Sequence, residues 1–62
     1  MTYAKELHDA ECVRVIEEQI AAMSRRGHAD GVMAMLNGFN INMADHYRLK
    51  RAIERRSKEL PR

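Results

Sequence analysis

From Cys12 onward, apolar side chains return at intervals of three and four, at Cys12, Val13, Ile16, Ile20 and Met23. That rhythm lines one side of an α-helix rather than the alternating faces of a strand. Thr2 can cap such a helix and Gly27 can close it, so the pattern predicts a first helix over residues 2–26. At roughly 100° per residue, Tyr3, Leu7 and Ala10 fall on the opposite side of that helix. It therefore carries two apolar patches, and a short partner within the same chain can hardly cover both.

A second, shorter helix is predicted from His28-Ala29 or Asp30 through Leu36, closed by Asn37-Gly38, a pair suited to a left-handed helix end. Val32, Met35 and Leu36 read as core, filling the angle between two longer helices, with methionine adapting to the irregular gap. Phe39, Asn40 and Ile41 form a connector. Asn42 is suited to an N-cap, and Asp45 three residues on places a carboxylate where the exposed amides and the helix dipole favour it. A third helix then runs from Met43 to Leu60, and Pro61 stops it. Leu49, Ile53 and Leu60 form one stripe of this helix, and Arg48, Arg51, Arg55 and Lys58 form another on nearly the opposite side. No strand pattern, repeat or linker interrupts the order. The expected fold is all-α, a single domain over residues 1–62 built as long helix, short helix, long helix.

Length adds a constraint, because a chain of 62 residues buries only about 60% of the surface its unfolded form exposes. The single Cys12 cannot form an internal disulfide, so a partner subunit is the remaining support. We expect a homodimer through the first helix, with Tyr3, Leu7 and Ala10 at the interface. One cysteine, no apolar leader and no membrane-length run give the expectation of a cytoplasmic protein without a membrane partner. The formal charge is +2, but it is unevenly spread. In residues 1–24, Lys5 and Arg14 stand against Glu6, Asp9, Glu11, Glu17 and Glu18, a net −3. Residues 25–62 hold nine cations against Asp30, Asp45, Glu54 and Glu59, a net +5. The two halves attract each other, within one chain or between two.

Chemistry is thinly supplied. His8 and Cys12 are spaced i, i+4 as two helical metal ligands would be, and His28 or His46 would have to complete the set. The paired-cysteine spacing of zinc motifs is missing, so no metal site is expected. Gly27, Gly31 and Gly38 are spread as helix punctuation rather than gathered in a phosphate loop. With no nucleophile paired to a base, we expect no catalytic residues, no cofactor and no small-molecule substrate.

Two binding functions remain. Ala34 and Gly38, with Phe39 after the glycine, show the Ala-x-x-x-Gly spacing of a helix-turn-helix, and the segment resembles that motif over about twenty residues. The resemblance implies a DNA-binding transcriptional regulator whose third helix contacts the duplex, its basic ridge neutralising phosphates. Two residues depart from the motif: Asn37 stands where it has a core aliphatic side chain, and Asp45 at the DNA-facing start of the helix. The other function is protein binding. Phe39, Met43 and Tyr47 gather at the turn into the third helix beside Arg48 and Arg51, with Arg55 and Lys58 further along, and Arg51 is placed to lie against the Tyr47 ring. The alternative for Phe39 is to plug the end of the bundle, which leaves Tyr47 as the better surface candidate. Aromatic residues flanked by arginine are the composition of binding hot spots. The favoured expectation is a non-enzymatic regulator that inhibits or redirects another protein. Phage and mobile elements encode accessory proteins of this kind against host regulators, a class-level analogy.

Overall fold

The computed structural model describes the backbone of residues 2–61 and the side chains of residues 5–61. These residues form three helices and no strand: α1 (Thr2–Ala22), α2 (Arg26–Gly38) and α3 (Met43–Glu59). The all-α order is as expected. The second helix, at 13 residues, is longer than its pattern suggested.

α3 begins where its local chemistry dictates. The Asp45 amide donates to Asn42 Oδ1 at 2.9 Å, and Asn42 Nδ2 donates back to Asp45 Oδ2 at 2.9 Å. This reciprocal pair satisfies one of the amides that a helix start leaves without a partner. At the other end Leu60 turns to extended backbone, and Pro61 cannot continue the helix.

The junction of α1 and α2 departs from the sequence reading. α1 stops at Ala22 instead of running to Arg26, and Met23 closes it, its backbone N–H donating a hydrogen bond to the Ile20 carbonyl at 3.2 Å. Arg26 opens α2 because the end of α3 holds it there. Its amide donates to the Pro61 carbonyl at 2.9 Å, and its Nε donates to the carbonyls of Leu60 at 3.0 Å and Ser57 at 3.2 Å. A helix C-terminus has unsatisfied carbonyls and a partial negative charge, so a guanidinium from another helix serves both needs. Gly27 consequently lies in the first turn of α2 and does not close α1. The Asn37-Gly38 end also differs, since Gly38 is still helical and no glycine has a positive φ. Phe39 ends α2 instead, in extended backbone, with its amide on the Leu36 carbonyl at 3.1 Å.

Ile16, Met23, Ala29, Val32, Leu36, Leu49 and Ile53 form the core, drawing on all three helices. Val13, Ile20 and Leu60 pack at its margin as their stripes required. Met35, expected inside, is 38% exposed, and Met33 packs on the core in its place. Ala29, Val32 and Leu36 fix which side of α2 faces inward. Met33 lies toward the groove that α2 shares with Ile53 and Ser57 of α3, whereas Met35 turns away from it. Lys5 reaches the Asn40 carbonyl, Arg48 reaches Glu17, and Arg56 Nη2 donates to the Met23 carbonyl at 3.3 Å. α1 and α3 therefore run parallel, and α2 returns between them.

Gly31 sits mid-helix in α2, where a Cβ would meet nothing within 4 Å. Its φ is not positive, so alanine fits the same backbone while losing less entropy on folding. Gly31→Ala is expected to stabilise the fold by about 1 kcal/mol, raising the thermal midpoint by about 4–8 °C in a domain of this size. Thermal melts of the two proteins check it. A lower midpoint for the variant would show that something packs against this glycine.

Candidate functional site

The outward side of α3 collects the binding residues expected from the sequence, except Phe39 and Arg48. Met43 is 66% exposed and Tyr47 53% exposed, and Arg48, Arg51, Arg55 and Lys58 are all exposed. Arg48 is exposed but paired toward α1, and Phe39 departs further. It is partly buried and packs against the core at the end of α2, so it supports the turn instead of standing on the surface.

The cations of α3 divide by the direction in which they point. Arg48 faces α1, with Nη1 3.4 Å from Glu17 Oε2 and Nη2 3.6 Å from Asp45 Oδ1. Arg56 faces the bundle and lies 3.9 Å from Glu59, besides its bond to Met23. Lys50, Arg51, Arg55 and Lys58 point outward, and among the described residues none has a carboxylate within 4 Å. Among the described residues, Lys50, Arg51, Arg55 and Lys58 are therefore without an ion-pair partner, whereas Arg48 of the expected ridge is paired.

Arg51 does not stack on Tyr47. The Tyr47 ring meets His46 edge to face instead, with centroids 5.9 Å apart and planes at 85°. An exposed cation–π contact is worth only about 0.5–1 kcal/mol, less than the rotamer freedom that an arginine gives up to hold it.

Comparison with protein-family models, curated proteins and solved structures gives no match.

His8 Nε2 lies 3.6 Å from Cys12 Sγ, as their i, i+4 spacing requires. Among the described residues no group of three or more His, Cys, Asp and Glu side chains is placed to hold a metal ion. Cys12 is buried beside the core, and His8 lies at the exposed edge. Among the described residues no helix is long and apolar enough to cross a membrane. Tyr3, expected at a dimer interface, lies outside the described side chains. Leu7 and Ala10, its companions, are exposed on the outer side of α1.

The helix-turn-helix features fall differently from the motif. Ala34 is exposed and Gly38 belongs to α2, so neither forms the turn. Asp45 occupies the first turn of α3, where a reading helix would approach bases, and the free cations lie further along.

Sequence reasoning missed Asp9, the one buried charged residue among those described. Its Oδ1 accepts from Lys5 Nζ at 2.9 Å, while Lys5 also holds the Asn40 carbonyl, so the pair ties α1 to the α2–α3 connector. The hydrogen bond from Lys5 holds the Asp9 carboxyl below its usual pKa of 3.8, with the Lys5 charge and Asn42 adding to the effect and burial opposing it. The signal was present in the sequence as a carboxylate on the apolar side of α1 with a lysine four residues before it.

The sign of the resulting pH effect follows from linkage. A carboxyl with a lower pKa in the folded state stabilises the fold above its unfolded pKa, and that contribution is lost as pH falls through the folded value. Asp9→Asn is expected to lower the urea midpoint at pH 7, and the gap from wild type should close as pH falls below 3.8. A gap independent of pH would contradict the assignment.

Proposed function

We propose that this chain is a non-enzymatic regulatory protein that binds and modulates another protein through the outward face of α3. Tyr47 and Met43 supply the apolar contact, and Arg51, Arg55 and Lys58 supply a cationic flank beside it. One observation carries the reading: two large apolar side chains stand exposed on the same helix as cations that no carboxylate of the described chain neutralises. A desolvated aromatic residue surrounded by polar contacts is how protein interfaces concentrate their energy. The partner matched by this face is acidic around an apolar centre. Modulation without chemistry suits an accessory inhibitor or adaptor, the role that phage and mobile-element products of this size take by class analogy.

DNA binding is the outcome the test must separate. Affinity capture from the native host's lysate, with and without nuclease, is expected to retain the same protein partner in both. Loss of that partner on nuclease treatment would overturn the reading.

A further inference from the structure

The outer side of α1 is left uncovered by the fold, and it is independent of the α3 face. Leu7 is 50% exposed there and, with Ala10, Glu11 and Arg14, lines a shallow hollow. α1 has almost no net amphipathic direction, because this second apolar patch opposes the Cys12-Ile16-Ile20 side. The folded chain also exposes 4598 Å², more than the about 4,100 Å² expected of a folded monomer of 7.2 kDa.

Charge on this side is self-complementary. Arg14 stands between Glu11 and Glu18, three and four residues away, where helical ion pairs form readily. Yet among the described residues neither acid lies within 4 Å of it, and all three side chains are exposed.

We propose that a second copy of this chain occupies the outer face of α1, with the two α1 helices antiparallel about a two-fold axis passing between Cys12 and Val13. A two-fold contact is reciprocal, so a residue meets its counterpart by reflection of the numbering through the axis. Glu11 of each copy then faces Arg14 of the other, giving two ion pairs from one relation. Leu7 of each copy lies over the partner helix at the position of Glu18, between the aliphatic stem of Arg14 and Ala21. Long charged side chains cover apolar surface in this way while keeping their charged ends in water. Antiparallel helices also bring opposite dipole ends together. The α3 face of each copy remains open, so the dimer presents two binding faces.

Charge reversal tests the pairing by sedimentation equilibrium at micromolar concentration, with circular dichroism as the check on folding. Wild type is expected at dimer mass. Arg14→Glu brings acids together and Glu11→Arg brings cations together, and each is expected to raise the dissociation constant by about a hundredfold or more, since like charges brought together across an interface cost several kcal/mol. The double variant, Glu11→Arg with Arg14→Glu, restores opposite charges and is expected to regain the dimer. Both positions are exposed, so helical content should be unchanged in all three variants. A wild-type monomer, a dimer indifferent to either single reversal, or a double variant that stays monomeric would each overturn the proposal.

Discussion

Leu36→Ala is expected to leave the chain largely unfolded at 25 °C. Leu36 is fully buried and is the largest of the three residues, with Ala29 and Val32, that α2 contributes to the interior. Truncating a buried leucine costs about 2–5 kcal/mol, the lost transfer energy plus the cavity that neighbours fill only in part. A single core in a chain this short rarely supplies more than about 3–5 kcal/mol in total. The two ranges overlap, and the variant has little stability left. Far-UV circular dichroism and urea titration measure it directly. Leu36→Met is the control, because a volume-conserving exchange typically costs less than about 1.5 kcal/mol and should keep a cooperative transition. If Leu36→Ala unfolds cooperatively with a loss below about 1 kcal/mol, then α2 is not held by this core.

Tyr47→Ala is expected to abolish most target binding while leaving the fold intact. The side chain is half exposed and outside the core, so its removal leaves no cavity and helical content should not change. At a protein interface the loss of such an aromatic residue costs about 2 kcal/mol or more, close to thirtyfold in the dissociation constant. Arg51→Ala, at the cationic flank, should cost less. For nucleic acid the order reverses. Each outward cation would then contribute similarly, and removing one would lower the salt slope by about one unit. Titration of wild type, Tyr47→Ala and Arg51→Ala against the captured protein and against duplex DNA, at two salt concentrations, distinguishes the two. Tight, sequence-selective DNA binding by wild type, with Tyr47→Ala neutral, would sink the protein-binding function.

The amino-acid sequence by itself determined the helices and their inward stripes wherever the governing interactions are local. Ile16, Leu49 and Ile53 could be placed inside from spacing alone, because a period of about 3.6 residues converts sequence distance into a shared side. The start of α3 was legible for the same reason: the Asn42–Asp45 pair spans three residues and forms whatever the rest of the chain does. The exposure of Arg51, Arg55 and Lys58 was legible as the side nearly opposite the core stripe, and that of Met43 and Tyr47 from their place beside that ridge. Tertiary structure decided what depends on residues distant in the chain. α1 ends at Ala22 and α2 begins at Arg26 because carbonyls more than thirty residues away, at Ser57, Leu60 and Pro61, bind Arg26, and no local pattern encodes that contact. Met33 lies inward and Met35 outward because α3 covers one flank of α2, a choice that two methionines with equal hydrophobicity leave open. Arg48 leaves the free ridge for Glu17 because α1 and α3 pack in parallel, and Asp9 is buried because Lys5 and the α2–α3 connector close over it. Periodicity reports which side of a helix avoids water, but which neighbour covers that side is set by the packing of all three helices together.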